Sequence, residues 1–281
     1  MSVDMKKTDF KVVFWGTQGS VALSNAKKMR YGSNTPCVSV ECGEHVFVFD
    51  MATGFLPFSD YFLKKYRLPK TVDIFLSHYH QDHVEGLPFA GLTYNPDVSI
   101  VFHCRPSEGK NPEEILSENY SPPNFPINIF QEATPGKFKF NILEPKQNLS
   151  MADGAVTIRN LPVSHPGGSL SYRLTFDGKS FCYLTDFEYG ETLAPDLKEF
   201  LEGSDLVVFD AYFSNKTLIP GWGHSTWEQG VEAWREAGIK KLAMYHHNIN
   251  ASDKDLDAIA AKLAAISDNL FVAKDSMVVY L

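Results

Sequence analysis

The sequence predicts an α/β fold in which sheets and helices pack in layers. Short apolar strands alternate with helical segments from one end of the chain to the other, and this alternation is typical of layered α/β domains. Hydrophobic residues form 44% of the 281 residues and charged residues 21%, a composition typical of a globular enzyme. Because no segment has the composition of a linker, we expect a single domain over residues 1–281.

The strands are predicted from short apolar runs that end at turn residues. Gly43 and Glu44 separate two such runs, and Asp177 and Gly178 separate two others. Both dipeptides are expected to close β-hairpins, and Asp177-Gly178 is the stronger signal because Asp-Gly suits a tight hairpin turn. The predicted strands cover residues 11–15, 37–41, 45–50, 72–76, 170–176 and 180–184.

The helices are predicted from capping signals and from apolar residues at helical spacing. Ser225 with Glu228, and Ser252 with Asp255, have the spacing of capping boxes. The helix after Ser252 has one apolar face and is expected to pack on a sheet. The predicted helices cover residues 57–66, 227–237 and 256–266.

The segment from about residue 105 to residue 135 differs from the rest of the chain because it is rich in Pro, Asn, Glu and Ser. We predict a surface excursion there, with one short helix over residues 113–118. Loops of this length are more often functional or mobile than inert.

The formal net charge is −8. An acidic chain disfavours a long nucleic acid as partner, because such binding depends on Lys and Arg that neutralise phosphates. A small anionic substrate stays open, since a metal ion brings its own positive charge. No apolar run reaches the roughly 18 residues that a membrane span requires, and the chain start lacks an apolar signal core. We therefore expect a cytoplasmic protein with no membrane partner, and leave self-association into a homo-oligomer open.

The strongest functional signal is the run His78-x-His80-x-Asp82-His83. It directly follows a predicted strand and is expected to open a helix. Three imidazoles and one carboxylate so close together are costly to bury without a cation, and imidazole with carboxylate suits zinc, iron or manganese. The alternative is a solvated histidine-rich loop, which the position after a buried strand disfavours.

This run resembles the His-x-His-x-Asp-His signature of the metallo-β-lactamase fold superfamily. Three later segments resemble further metal-binding segments of that family: "PVSHPGGSLSYRL" with His165, "CYLTDFE" with Asp186, and "KLAMYHHN" with His246. Residues 16–43 and the segments "YSPPNFPI" and "GHSTWEQG" resemble the branch related to RNase Z and cyclic-nucleotide phosphodiesterases. The resemblance implies the four-layer αββα sandwich of the metallo-β-lactamase fold.

The resemblance also implies a site for two divalent metal ions, with zinc as the first choice and manganese or iron as alternatives. Asp186 would bridge the two ions. The side chains of His246 and His247 point to opposite faces if the strand continues; the resemblance favours His246 as the ligand but leaves His247 open. Asp50 either braces the metal loop or caps the next turn. The first ion would be held by His78, His80 and His165, and the second by Asp82, His83 and His246.

The chemistry that the resemblance implies is hydrolysis by a water that the two ions activate. His224, in Gly-His-Ser-Thr, matches a histidine that lies beside the scissile phosphate in the RNase Z branch; a structural role at a helix start is the alternative. Asp82 and His224 are the predicted catalytic residues. His224 would stabilise charge on phosphorus or protonate the leaving oxygen. The predicted function is therefore a phosphodiesterase for a small phosphodiester such as a cyclic nucleotide.

Three alternatives stay open. Other family members hydrolyse carbon esters, thioesters or lactams, but they would not be expected to carry Gly-His-Ser-Thr. The oxygen-reducing diiron branch has Glu where this chain has His80, and a non-catalytic metal-binding member would be expected to lack some ligands. RNase Z itself fits less well, because residues 105–135 contain two basic residues and five glutamates rather than a basic arm.

Overall fold

The structure is a computed structural model that describes residues 10–132 and 136–281. Residues 133–135, at the end of the predicted excursion, lie outside the described residues. In chain order, the strands are β1 (Phe10–Gly16), β2 (Cys37–Cys42), β3 (His45–Phe49), β4 (Lys70–Phe75), β5 (Val98–Cys104), β6 (Phe138–Ile142), β7 (Asn148–Met151), β8 (Val156–Val163), β9 (Ser169–Phe176), β10 (Lys179–Leu184), β11 (Leu206–Asp210), β12 (Lys241–Tyr245), β13 (Leu270–Val272) and β14 (Val278–Tyr280). The helices are α1 (Phe55–Lys65), α2 (Gln81–Val84), α3 (Gly91–Tyr94), α4 (Pro112–Asn119), α5 (Ile129–Glu132), α6 (Pro195–Leu201), α7 (Trp227–Glu236) and α8 (Asp253–Ala264).

The strands form two seven-stranded mixed sheets. The first has the order β14-β1-β2-β3-β4-β5-β6, and the second has the order β13-β12-β11-β10-β9-β8-β7. Strands β3 to β6 pair in parallel, as do β10 to β13. The carboxyl ends of parallel neighbours lie at the same edge of a sheet, so the segments that follow β10, β11 and β12 leave from one edge.

Three apolar cores hold the layers together. Between the sheets, Phe49 and Phe75 contact Tyr172, and Phe49 also contacts Phe181 and Tyr183. Burying one such side chain stabilises a fold by about 1.5–3 kcal/mol. A second core lies between the first sheet and α1, α3, α4 and α5, and a third lies between the second sheet and α6, α7 and α8. The predicted four-layer αββα sandwich is confirmed.

The predicted elements are present in the structure. The six predicted strands correspond to β1, β2, β3, β4, β9 and β10, with ends that differ by one or two residues at most. The predicted helix in the excursion corresponds to α4, and Leu116 and Tyr120 bury its inner face against the first sheet. Ser252 and Asp255 form the predicted capping box at the start of α8. Within residues 10–132 and 136–281, no helix is long and apolar enough to cross a bilayer.

The start of α7 differs from the prediction. The N-cap is Thr226, which forms a capping box with Gln229, rather than Ser225 with Glu228. Ser225 donates its hydroxyl to the carbonyl oxygen of Phe187 at 2.6 Å, so this hydroxyl does not cap the helix. The backbone at Thr226 is still extended (φ −109°, ψ 154°), as an N-cap requires.

Candidate metal centre

The histidine-rich run leaves β4 and enters α2 within a few residues. His80 is the N-cap of α2 and has an extended backbone (φ −61°, ψ 148°). Asp82 and His83 lie in the short helix itself, and both are buried. The change from strand to helix turns the chain, so that donors from before and after the turn face the same space.

The first group of donors joins His78, His80 and His165 with Asp186. His80 Nδ1 lies 2.9 Å from His78 Nε2 and 3.1 Å from His165 Nε2. Asp186 Oδ2 lies 3.8 Å from Nε2 of both His78 and His165. Ligands of one tetrahedral zinc ion lie roughly 3.3–3.6 Å apart, because each bond to the metal is about 2.0–2.2 Å long. The distances within this group, 2.9–3.8 Å, lie on either side of that range, so the four side chains are close enough together to bind a single ion.

The second group joins Asp82, His83 and His246. His83 Nε2 and His246 Nε2 lie 3.6 Å and 3.3 Å from Asp82 Oδ2. The same two nitrogens lie 3.3 Å and 3.2 Å from Asp186 Oδ1. Asp186 thus directs one carboxylate oxygen to each group, which is the geometry of a bridging ligand.

The residues present fit divalent cations. His83 Nε2 is buried and has no hydrogen-bond partner among the described residues, and a buried polar atom without a partner is costly unless it binds something else. Burial lowers the pKa of His83, but the charges of Asp186, Asp82 and Asp50 outweigh it and raise that pKa well above its usual value. The surrounding carboxylates therefore stabilise positive charge at this point, which a divalent cation would supply.

Asp50 orients ligands of both groups through hydrogen bonds that involve their Nδ1 atoms. Its Oδ2 accepts hydrogen bonds from His83 Nδ1 at 2.7 Å and from Tyr183 OH at 2.9 Å. Ser77 donates to Asp50 through its backbone N and through Oγ, both at 2.8 Å, and its Oγ lies 2.9 Å from His78 Nδ1. These bonds fix the imidazole tautomers that leave Nε2 free for a ligand role. Asp50 therefore braces the metal loop, one of the two roles that the sequence left open.

His246 and His247 point in different directions after β12. His246 has a left-handed backbone (φ 57°) and places Nε2 in the second group. His247 Nε2 donates to the carbonyl oxygen of Ala273 at 2.7 Å, and burial lowers the pKa of His247 to about 4. The structure thus places His246 with the donors and His247 outside them.

A segment near the chain start, residues 17–34, covers the second group; we call it the cover segment. Its Ser20 backbone N donates to Asp82 Oδ2 at 2.7 Å. Gly19 packs directly on His246: a Cβ atom at Gly19 would lie 2.5 Å from the imidazole ring. Only glycine fits this close approach, so the cover segment lies directly on the second group.

Glu188 organises a loop that supports the first group. Its Oε1 accepts hydrogen bonds from the backbone N of Gly221 and, at 3.1 Å, from that of Gly223. The carbonyl oxygen of Gly223 accepts a hydrogen bond from His165 Nδ1 at 2.8 Å. Glu188 therefore acts on His165 through the backbone of this loop.

His224 lies beside the centre without belonging to either group. Its Nδ1 donates to Asp210 Oδ2 at 2.8 Å and lies 3.9 Å from Asp186 Oδ2. Its ring stacks on Tyr212, with 4.6 Å between ring centroids. Burial lowers the pKa of His224, but the charge and hydrogen bond of Asp210, with a contribution from Asp186, raise it to about 9. His224 can therefore hold a proton and a positive charge next to the metal ligands.

The structure brings all seven predicted ligands together and places His224 next to them. Sequence reasoning missed Asp210, which fixes His224 and accepts a hydrogen bond from the backbone N of Asp186 at 3.0 Å. Asp210 ends the apolar run of β11, and Asp50 follows the apolar run of β3. This shared pattern could have identified Asp210 as a supporting residue of the site. Glu188 had no comparable local signal.

Comparisons with known proteins show the family and the fold of the chain. The family model described as Beta-lactamase superfamily domain matches residues 47–247. Ribonuclease Z of Archaeoglobus fulgidus is 23% identical, over 95% of this chain and 96% of that protein. The metallo-beta-lactamase fold protein YhfI from Bacillus subtilis superposes with a TM-score of 0.72 at 18% identity, over 98% of this chain and 100% of that one. A diphosphatase from the PhnP family superposes with a TM-score of 0.70 at 16% identity, over 98% of each chain.

Proposed function

The chain belongs to the beta-lactamase superfamily, and from that premise we propose that it hydrolyses a small phosphodiester, such as a cyclic nucleotide, with two divalent metal ions. It has the fold of the metallo-beta-lactamase hydrolases, and that fold implies divalent metal ions. The phosphodiester, the number of ions and zinc as their identity are the parts that we propose.

The observation that carries the phosphodiester proposal is the position of His224. Asp210 accepts a hydrogen bond from His224 Nδ1, so Nε2 is the atom that can meet a substrate. The same Nδ1 lies 3.9 Å from Oδ2 of Asp186, which contributes to both groups. Hydrolysis of a phosphodiester builds negative charge on the phosphoryl oxygens and expels an alkoxide. A protonated imidazole can stabilise that charge or protonate that oxygen.

The two groups would hold the ions, with Asp186 contributing an oxygen to each. When bound, the ions would polarise the phosphodiester and lower the pKa of water between them. Burial raises the pKa of Asp82, but the charges of His83 and His246 outweigh this effect and lower that pKa to about 2. Asp82 is therefore ionised at neutral pH, and we propose that it contributes as a metal ligand rather than as a proton donor.

A small substrate is favoured over a long nucleic acid by charge. The chain has a formal net charge of −8, and a polyanion gains affinity only where Lys and Arg neutralise its phosphates. Ribonuclease Z is the name of the similar protein from Archaeoglobus fulgidus, so a tRNA precursor is the informative competitor. A cytoplasmic location and self-association stay predictions.

The direct test is a turnover panel with the protein loaded separately with zinc, manganese or ferrous iron. The panel contains cyclic mononucleotides, 4-nitrophenyl phosphodiesters, a tRNA precursor, a carboxylic ester, a thioester and a β-lactam. We expect the small phosphodiesters to have the highest kcat/KM. A higher value for the ester, thioester or lactam would replace phosphodiester chemistry, and a higher value for the tRNA precursor would overturn the small substrate.

Metal content tests the number of ions. Seven donors exceed the four that one tetrahedral zinc ion uses, so we expect about two ions per chain. Elemental analysis after dialysis against excess zinc measures this ratio. A ratio of one or less under metal-replete conditions would contradict the two-ion site.

A further inference from the structure

We propose that a cavity beside the first group binds the uncharged, planar end of the substrate, a nucleobase or a group of similar shape. The inference rests on the proposed function, because it assigns one end of the same phosphodiester. It also assigns a role to the excursion at residues 105–135, which contributes none of the seven predicted metal ligands.

The cavity adjoins the metal ligands. It has a volume of about 290 Å³ and is lined by His78 and His80 on one side and by residues of the excursion on the other. Tyr79, Ile115 and Pro166 contribute much of the uncharged lining. A phosphodiester held at the first group would therefore have one of its two ester groups next to this cavity.

The size of the cavity suits a small group. Pockets for whole drug-sized ligands occupy about 300–1,000 Å³, so a cavity of about 290 Å³ is near the lower end of that range. A single nucleoside or aryl group fits this volume better than a chain of several nucleotides. An aromatic side chain such as Tyr79 in the lining suits a planar group, since bases bind aromatic faces with little sequence preference.

The charged side chains that line the cavity favour an uncharged group over a second phosphate. Lys110 donates to both carboxylate oxygens of Glu118 at 2.7 Å, so its positive charge is already compensated. Glu108 adds a further acidic side chain to the lining. Among the lining side chains, a polyanionic chain would therefore find no uncompensated cation, whereas a neutral base needs none.

The walls are held in place before any substrate arrives. Asn111 and Glu114 form a capping box at the start of α4. Arg105 Nη2 donates to the carbonyl oxygen of Gly167 at 2.9 Å, and the hydroxyl of Tyr79 donates to the carbonyl oxygen of Arg105 at 2.5 Å. Preformed walls reduce the entropy that binding would otherwise cost.

Two substrates that share one leaving group isolate the cavity: thymidine 5′-(4-nitrophenyl phosphate) and methyl 4-nitrophenyl phosphate. Their reacting atoms and their nitrophenyl group are the same, and only the thymidine ester also offers the cavity a nucleobase. For the zinc-loaded wild type we expect kcat/KM to be about tenfold or more higher for the thymidine ester, the scale of one stacked base.

Ile115→Trp would fill the cavity, and Ile115→Ala would widen it. We expect Ile115→Trp to lower kcat/KM for the thymidine ester about tenfold and to affect the methyl ester much less. The ratio of the two kcat/KM values, thymidine ester to methyl ester, should therefore fall. We expect Ile115→Ala to lower this ratio by a smaller factor. The matched control is Ile266→Trp, at an exposed residue after α8, which should leave the ratio as in the wild type. Melting temperatures verify that each variant is folded. An equal loss with both esters, or an unchanged ratio, would overturn the cavity assignment.

Direct binding separates this inference from the proposed function. Calorimetry with zinc-loaded protein compares thymidine 5′-monophosphate with methyl phosphate, and we expect Ile115→Trp to weaken only the former. If this occurs while neither ester is hydrolysed, the cavity stands and the phosphodiesterase proposal is wrong. If thymidine 5′-monophosphate binds no better than methyl phosphate, or binds Ile115→Trp equally well, the cavity assignment is wrong whatever the turnover.

Discussion

The second group of the metal centre is buried throughout, whereas in the first group His80 is exposed. Asp50 supports both groups, directly through His83 in the second and through Ser77 and His78 in the first, and the first group is also supported by a loop. Asp50, which contacts Tyr183 from the other sheet, orients His83 in the second group. The backbone of a loop orients His165 in the first. Similar ligand chemistry thus occurs in two halves of the centre: the buried second group is the enclosed half, and the first group, with His80 exposed, is the open half.

The cover segment strengthens this difference because it contacts Asp82 and His246, both donors of the second group. Asp253 accepts hydrogen bonds from the backbone N of Arg30 and of Tyr31. Asp275 accepts hydrogen bonds from Thr17 Oγ1 and from the backbone N of Asn34. The segment is therefore attached at both ends to the last part of the chain, and the enclosed half depends on contacts distant in sequence.

The largest effect is expected from Asp186→Asn, because Asp186 is the one donor that both halves share. The backbone of Asp186 is left-handed (φ 52°), and Asn tolerates this conformation where Ala would not. We expect the variant to lose both ions and detectable turnover, as measured by elemental analysis and by the phosphodiester assay. Asp268→Asn, at an exposed residue, is the matched control. Retention of one ion at normal affinity would show that the two halves are independent.

The next effect is expected from His224→Ala, which leaves both groups intact. We expect turnover to fall by roughly 10²–10⁴-fold, with metal content and melting temperature nearly unchanged. The loss should be smaller for a good leaving group such as nitrophenolate, because that group needs little protonation. His45→Ala, at an exposed histidine at the start of β3, is the control. Full activity on phosphodiesters with poor leaving groups would reduce His224 to a structural residue.

Glu188→Gln tests the open half by itself. The amide keeps the size of the side chain but removes the charge that accepts hydrogen bonds from Gly221 and Gly223. We expect the first ion to bind about tenfold more weakly, the lower end of the effect of such supporting residues, while the second ion binds as before. Titration with a chromophoric chelator resolves the two affinities. Glu191→Gln, at an exposed position, is the control, and equal weakening of both ions would contradict the separate supports.

The smallest effect is expected from Asp275, which holds the cover segment over the enclosed half through Thr17 and Asn34. Burial raises the pKa of Asp275 from 3.8 to about 6, although hydrogen bonds from Asn34 and Thr17 lower it in part. A carboxyl with a raised pKa binds its proton more tightly in the folded chain than in the unfolded chain. Its contribution to the free energy of unfolding is therefore fully present below about pH 4 and is lost as the pH rises to about 6.

Asp275→Asn removes this titration. Between about pH 4 and pH 6, we expect the free energy of unfolding of the variant to rise relative to the wild type by on the order of 1–3 kcal/mol. Denaturant unfolding at several pH values measures the difference, with Asp268→Asn as the control. A difference that does not change with pH would show that Asp275 titrates normally.

The parts of the fold that the sequence predicts are those encoded locally. Apolar runs that end at Asp177-Gly178 specify a hairpin whatever lies around it, and the spacing of Ser252 and Asp255 specifies a helix start. The start of α7 was mispredicted because Ser225 and Thr226 are both suitable caps. A contact with Phe187, distant in sequence, decides between them.

The candidate site divides in the same way. The run from His78 to His83 is visible in the sequence because its donors are close neighbours along the chain. Asp210 was missed because its role depends on the parallel pairing of β10 with β11, which brings it next to Asp186. Glu188 acts through the backbone of a loop about 35 residues later, and residue type alone carries no sign of that contact.

The contact between Gly19 and His246 has a consequence for the order in which folding and metal binding would occur. The chain start closes over the second group only when it meets the last part of the chain, where Gly19 donates its backbone N to the carbonyl oxygen of His247. The proposed ion in the enclosed half would therefore be acquired while the chain folds and would exchange slowly afterwards. The proposed ion in the open half would equilibrate with the surrounding medium. The metal in the enclosed half would thus depend on which metals are available when the protein is synthesised. The metal in the open half would depend on which metals are available when the protein acts.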